Sequence, residues 1–199
     1  MRKLFYAMIL VSLSQFGYGQ AVNDQAVIPV SVTLNSILRL TVVSGGNIEF
    51  VVNTIDQYNV GINNGGTNTL YQTNFTVSSS QDFNVTLRAE DTELFGQDSS
   101  TTSMPLDNIG YDLTASATAT GAATVNWNFP GAVAPLTAVA VPVVTGIVEH
   151  SAGSYTQNDF LIRWRLGTGE GTMNGLSLLE QSLTPDRYTT NVFLELVPK

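Results

Sequence analysis

The sequence predicts an all-β protein built as a single antiparallel β-sandwich domain. Three observations lead to this fold class. Apolar residues recur at every second position in many segments, turns rich in Gly, Asn and Ser separate those segments, and no amphipathic helix longer than about two turns is evident. Because a period of two places alternate side chains on opposite faces of a strand, each segment has one apolar face to bury. Seven or more such strands indicate a sandwich.

The chain begins with a predicted secretory signal peptide over residues 1–19. Arg2 and Lys3 form a basic start, residues 4–13 are apolar and uncharged, and a Gly-Tyr-Gly sequence ends the segment. The apolar run is shorter than the roughly 20 residues that a spanning helix needs, so we expect it to be cleaved. The mature chain, residues 20–199, is then expected to be exported without an integral membrane segment, to the periplasm, the outer membrane, the cell surface or the medium.

The composition excludes several kinds of site. The chain contains no cysteine, so it has no disulfide and no thiolate metal site. Removal of the predicted leader takes away two of the eight basic residues, which leaves six against sixteen acidic residues and a net charge of −10. Nucleic acid is therefore not an expected partner, because phosphate binding needs clustered Lys and Arg. No motif in the chain calls for a cofactor.

The first segment of the mature chain, residues 22–35, is a predicted strand that follows a polar leader. Its apolar face is formed by Ile28, Val30, Val32 and Leu34. Two interpretations are open. The segment pairs within its own sandwich, or it leaves its own domain and completes the sheet of a neighbouring subunit, where backbone hydrogen bonds would supply affinity and alternate side chains would fill pockets.

The later strands follow in order along the chain. Their alternating apolar sets are Leu38 to Val42, Ile48 to Val52, Tyr71 to Val77, Phe83 to Ala89, Ile109 to Leu113, Val125 to Phe129, Phe160 to Leu166 and Tyr188 to Leu196. The turn at residues 44–47 predicts a hairpin between the first two of these sets, and the next two form a second predicted hairpin. Residues 177–182 are compatible with one helical turn.

The region of residues 114–146 differs in composition, since Ala, Thr, Val and Pro dominate it. One interpretation is a long insertion or arm that contacts another subunit. The other is a pair of small-residue edge strands, in which the prolines prevent unwanted pairing.

Residues that carry site chemistry are few. His150 is the only histidine, and no motif surrounds it. An acidic group after one predicted strand supplies the hard oxygen ligands that calcium prefers, but without the spacing of a calcium-binding loop; its members are Glu90, Asp91, Glu93 and Asp98. A solvated acidic turn is the alternative interpretation. No catalytic set is evident.

The aromatic residues divide into two groups. Trp127 and Trp164 lie in register with aliphatic neighbours and are predicted core residues. Tyr58, Tyr71 and Tyr155 lie in polar, turn-like sequence and are the residues of choice for an exposed aromatic patch that stacks on sugar rings.

The C-terminal stretch of residues 185–196, PDRYTTNVFLEL, resembles the closing strand of secreted fimbrial-type sandwiches, including the spore-coat-U-like group. The leader ending in Gly-Gln and the Asn- and Thr-rich mature chain resemble exported surface proteins of the Bacteroidetes. The resemblance covers about a tenth of the chain, and the chain lacks the cysteines that many members of those groups carry. It implies an Ig-like fold and a surface-structure component without enzymatic activity.

The sequence therefore predicts a non-enzymatic structural subunit of a bacterial cell-surface or outer-membrane assembly, with a fimbria-like filament as one form. Its partners would be other protein subunits, either copies of itself or other assembly components. The alternative is a secreted binding module for polysaccharide or for another surface protein.

Overall fold

A computed structural model describes residues 26–63, 69–99, 101–116, 127–146 and 152–199. The chain divides into two compact units, Met1–Leu34 and Asn35–Lys199. All the described strands belong to the second unit. They are β1 (Leu38–Ser44), β2 (Gln72–Ser79), β3 (Phe83–Ala89), β4 (Glu93–Gly96), β5 (Ser103–Pro105), β6 (Ile109–Ala115), β7 (Trp127–Asn128), β8 (Ala134–Pro135), β9 (Val141–Gly146), β10 (Asp159–Leu166), β11 (Tyr188–Thr189) and β12 (Val192–Pro198).

These strands form three antiparallel sheets. The largest has the order β1-β2-β10-β6-β8, the second has the order β12-β3-β9-β7, and a small third sheet has the order β11-β4-β5. The inward faces of the two larger sheets share one apolar core. The prediction of an all-β protein with antiparallel sheets packed as a sandwich is confirmed. Its closer description as Ig-like stays a prediction.

The predicted alternating residues of β2, β3, β6 and β10 form the centre of the core. In β10, Phe160 and Ile162 are fully buried, while Arg163 faces outward and donates a 2.6 Å hydrogen bond to Asp112 of the neighbouring β6. Phe75 of β2 packs on Phe160, with 5.2 Å between the ring centroids. The large aromatic side chains of these central strands therefore fill the middle of the sandwich, as expected for groups that bury so much apolar area.

Two predicted hairpins are wrong. Residues 46–53 form no strand, and β1 pairs with β2 instead. The strands β2 and β3 are joined by a three-residue connection, residues 80–82, yet they belong to opposite sheets. Both have one fully buried face, and those faces meet across the core rather than side by side. Alternation specifies the buried face of a strand, and it leaves open which sheet the strand joins.

The ends of the chain also differ from the prediction. No strand is assigned to residues 26–37, where the sequence predicted the first strand. The predicted last strand is interrupted at Thr190 and Asn191, so that β11 joins the small sheet and β12 joins the four-stranded sheet.

The short helical elements of the described residues were not predicted: one α-helix and two 3-10 helices, Thr69–Tyr71 and Leu106–Asn108. Helix α1 (Ile55–Val60) begins at Thr54, whose side chain and that of Gln57 form a capping box. The predicted turn at residues 177–182 is hydrogen-bonded from Gln181 N–H to the Ser177 carbonyl, at 3.3 Å, but is not helical.

The Ala-, Thr- and Val-rich region supplies β7 and β8, which are edge strands of two residues each, and the inner strand β9. Pro135 lies in β8, where a missing backbone N–H is tolerated. Residues 117–126 lie outside the described part of the chain. Among the residues that the structure describes, no helix is long and apolar enough to cross a membrane.

Candidate functional site

The 35–199 unit contains an open cleft of about 800 Å³, lined by apolar core side chains and by polar residues of its two walls. One wall is the segment of residues 45–52, which follows β1. The opposite wall is the C-terminal stretch of residues 183–194, which includes β11 and the start of β12. The floor consists of core side chains from the five-stranded sheet, from the small sheet and from connecting segments: Leu94, Met104, Ile109, Leu136, Trp164, Leu166 and Leu178.

The inward-facing residues of the two edge strands at this cleft are not covered. Val42 of β1 faces the same side as its partner Phe75, which is fully buried, but 44% of Val42 is exposed. Val192 of β12 stands opposite the fully buried Ala89, and 39% of Val192 is exposed. Paired residues on one face of a sheet normally share one environment. The difference shows that the sandwich is open along the edge where β1 and β12 lie.

The segment of residues 46–52 forms its wall without backbone pairing. No hydrogen bond joins its backbone to any other group in the described part of the chain. Its side chains alternate: Ile48, Phe50 and Val52 pack partly against the core, whereas 52% of Val51 is exposed. Phe50 stacks on Tyr71 with 4.6 Å between ring centroids. The segment thus has the sequence and side-chain pattern of a strand but lacks a partner strand.

A hydrogen-bond relay holds the start of this segment. The buried Trp164 donates its indole N–H to Thr73 Oγ1 at 2.9 Å, and the Thr73 hydroxyl donates to the Gly45 carbonyl at 2.7 Å. Gly45 has a φ of +68°, and a Cβ on it would lie 1.8 Å from the carbonyl oxygen of Gln72. Only glycine fits this turn, so the direction in which the segment leaves β1 is fixed by the core.

In the wall formed by residues 183–194, Asp186 accepts several hydrogen bonds. Its carboxylate accepts hydrogen bonds from the Thr102 hydroxyl at 2.6 Å and from the backbone N–H groups of Asp98, Ser99 and Arg187. These hydrogen bonds, chiefly the one from Thr102, lower the pKa of Asp186 to about 2. The carboxylate is already engaged with the protein and ties the loop before β5 to the turn before β11.

The first unit contributes the described residues 26–34. They form no strand, and their apolar side chains are exposed: Val27, Ile28, Val30, Val32 and Leu34 are each at least 78% accessible. Single exposed apolar residues are ordinary, but five within eight positions are unusual for a soluble chain. The predicted interaction strand is therefore present as an exposed apolar segment.

The acidic candidates do not come together as a metal site. Within the described ranges no group of three or more His, Asp or Glu side chains is placed to hold a metal ion. Glu90 accepts a hydrogen bond from Asn191, and Asp91 accepts one from Thr190 at 3.1 Å. Glu93 begins β4, and the Asp98 backbone N–H binds Asp186. These contacts agree with the alternative interpretation of an acidic turn.

The tyrosine candidates have different surroundings. Tyr58 is half-buried and lines the cleft, Tyr71 stacks on Phe50, and Tyr155 is 62% exposed in a turn. Trp164 is buried, as predicted. His150 and the Trp127 side chain lie outside the described part of the chain.

Sequence reasoning missed the cleft and its walls. The alternation of Ile48, Phe50 and Val52 did signal a strand-like segment, but no local signal shows that the segment lacks a partner. A scan against protein-family models and a search of curated proteins find no match to this chain.

Proposed function

We propose that this protein is a non-enzymatic structural subunit of a bacterial cell-surface or outer-membrane assembly, and that residues 26–34 join it to a neighbouring subunit as an added β-strand. The observation that supports the proposal best is the exposed alternation of Ile28, Val30, Val32 and Leu34. An exposed apolar segment of this kind is stabilised when it pairs with a sheet edge and buries alternate side chains.

No buried hydrophobic residue described in the chain belongs to this segment. Every buried hydrophobic residue described in the chain lies between Ile62 and Leu178, within the 35–199 unit. A segment that adds nothing to its own core, and whose apolar face is uncovered, is suited to a role between molecules. Its expected destination is the periplasm, the outer membrane, the cell surface or the medium, in line with the predicted leader.

The alternative function, a polysaccharide-binding module, needs an exposed row of aromatic side chains. Tyr58 and Tyr71 are half-buried beside or near the cleft, so Tyr155 is the one tyrosine of the three candidates that is largely exposed. This arrangement favours the assembly function.

The test measures the oligomeric state of the exported protein by light scattering and negative-stain imaging. The test variant carries polar residues on the apolar face of the segment: Ile28→Ser, Val30→Ser, Val32→Ser and Leu34→Ser. The matched control changes only the intervening positions: Pro29→Ala, Ser31→Ala and Thr33→Ala.

We expect oligomers or filaments from the wild type and from the control variant, and a folded monomer from the test variant. A wild-type protein that stays monomeric at high concentration would contradict the proposal. That result would favour the binding-module function, and the next experiment would screen the protein for binding to glycans.

A further inference from the structure

We propose that Asn174 is a self-modification site, at which the folded protein converts a side-chain amide to a carboxylate without an enzyme. Asn174 is followed by Gly175 in the loop of residues 167–183, which comes after β10. The main-chain nitrogen of Gly175 is the nucleophile, and the product places a negative charge opposite Asp107. The new charge then releases this loop from the 3-10 helix Leu106–Asn108, and with it a part of the cleft floor.

The Gly175 nitrogen is free to react. Its N–H donates no hydrogen bond to any group in the described part of the chain, and Gly175 is exposed. A Cβ placed on Gly175 would have no atom within 4 Å apart from those of its chain neighbours, so nothing crowds the approach of the nitrogen. Because glycine has no side chain to restrict φ and ψ, the main chain can bend towards the preceding side chain.

The Asn174 side chain is held in position for this attack. Its Oδ1 accepts a hydrogen bond from the Leu176 N–H at 3.0 Å, and its Nδ2 donates to Asp107 Oδ1 at 3.2 Å. The first of these bonds folds the side chain back over the intervening peptide group. The same N–H lies beside the oxygen that becomes negative when Cγ is attacked, and a donor already in place stabilises such a charge.

The reaction needs only water, and asparagine is among the chemically labile residue types. The Gly175 nitrogen gives up its proton to hydroxide and bonds to Asn174 Cγ. The Cγ–Nδ2 bond breaks, Nδ2 takes up a proton, and ammonia leaves a cyclic succinimide behind. Water then adds to one of the ring carbonyl carbons and the bond from that carbon to nitrogen breaks, which yields aspartate or isoaspartate. One water is consumed for each ammonia released, and nothing is oxidised or reduced.

The product breaks a contact that anchors the loop. A carboxylate has no N–H to donate to Asp107, and it places two like charges next to each other. A second anchor lies further along the loop, where the side-chain amides of Asn108 and Gln181 exchange hydrogen bonds of 2.8 Å in both directions. Leu178 lies between the two anchors in sequence, is 4% exposed and belongs to the cleft floor. Loss of the first anchor therefore loosens the segment that carries Leu178.

The first experiment follows the exported protein over time by peptide mapping with mass spectrometry, at pH 6 and at pH 8. We expect ammonia release and conversion of Asn174 to aspartate and isoaspartate, faster at pH 8 because the attacking nitrogen must lose its proton. Asn53 and Asn191 are exposed and precede β-branched residues, so these internal controls should keep their amides. Gly175→Ala, which has room for the methyl group, should lower the conversion to at most about a tenth.

The second experiment measures hydrogen exchange at the amides of residues 177–181. Asn174→Asp should speed this exchange by about tenfold, because the loop loses a hydrogen bond and gains a like-charge contact. In an Asp107→Asn background the new carboxylate again faces an N–H donor. The same Asn174→Asp substitution should therefore change the exchange clearly less in that background.

Three results would overturn the proposal. An amide that persists at Asn174 in the folded protein, while urea-unfolded protein converts it, would show that the fold protects this residue. Equal conversion in the wild type and in Gly175→Ala would exclude the Gly175 nitrogen as the nucleophile. Unchanged hydrogen exchange in Asn174→Asp would overturn the release of the loop. None of these results concerns the oligomeric state, so the proposed function is tested separately.

Discussion

Replacing Thr73 by valine is expected to destabilise the protein, because it leaves the buried indole N–H of Trp164 without a hydrogen-bond acceptor. Valine has the shape of threonine but lacks the hydroxyl that accepts from Trp164 at 2.9 Å and donates to Gly45 at 2.7 Å. Thr73 and Trp164 are each 6% exposed, so water does not readily replace the lost acceptor. A buried donor left without a partner costs about 1–3 kcal/mol. Gly45 is only half-buried, so we expect water to replace the lost donor at its carbonyl and this second lost hydrogen bond to add little to the destabilisation.

The assay is urea unfolding of four proteins followed by far-UV circular dichroism: wild type, Thr73→Val, Trp164→Phe and the double variant. In the Trp164→Phe background the indole N–H is already gone, so the valine substitution should cost clearly less there. The cycle should give a coupling free energy of at least about 0.5 kcal/mol. A coupling free energy near zero would refute the reasoning, because it would mean that the 2.9 Å contact contributes nothing to stability.

Two further predictions concern carboxylates. Asp186→Asn should lower the free energy of unfolding by its full amount above pH 3.8, and this loss should shrink as the pH falls towards about 2. The reason is that hydrogen bonds from Thr102 and from backbone N–H groups lower the pKa of Asp186 in the folded state. An equal loss at pH 5 and pH 2 in urea titrations would contradict this. The Asp112 carboxylate lies 2.6 Å from Arg163 and 2.8 Å from Arg165, and its side chain is 16% exposed. Asp112→Asn should therefore lower the free energy of unfolding by about 1–2 kcal/mol, which is less than the roughly 3–5 kcal/mol lost when a fully buried ion pair is broken. A free energy of unfolding equal to that of the wild type in the same titration would contradict this prediction.

The faces of the strands could be predicted from sequence, and their partners could not. The alternation in Phe160, Ile162 and Trp164 identified a half-buried strand because burial of one face is what selects that pattern. The same kind of pattern in Ile48, Phe50 and Val52 predicted a hairpin that is absent. Strand β1 pairs with β2 on one side, and its other edge pairs with no described strand. Residues 46–52 do not return along that other edge, because their apolar side chains pack towards the core instead.

The candidate site divides in the same way. The apolar face of residues 28–34 was evident from the sequence, because it needs only local alternation. The cleft was not, since it arises from the missing partner of residues 46–52 and the free edge of β12, which are properties of the assembled sheets. Helix α1 left a local signal, the Thr54 and Gln57 capping box, but six residues are too few to show a helical period.

The placement of β2 and β3 in opposite sheets has a consequence for the speed of folding. Neither strand pairs with the other, and their partners are distant in sequence: Asn74 binds Asp159, 85 residues away, and Arg88 binds Glu195, 107 residues away. Folding slows as contacting residues become more separated along the chain, and sandwiches of this kind typically need about milliseconds to seconds. The five-stranded sheet needs β10, whereas the four-stranded sheet is complete only when the C-terminal strand β12 has been synthesised. The edge of β3 that β12 covers therefore stays open to wrong partners until the end of the chain has been made.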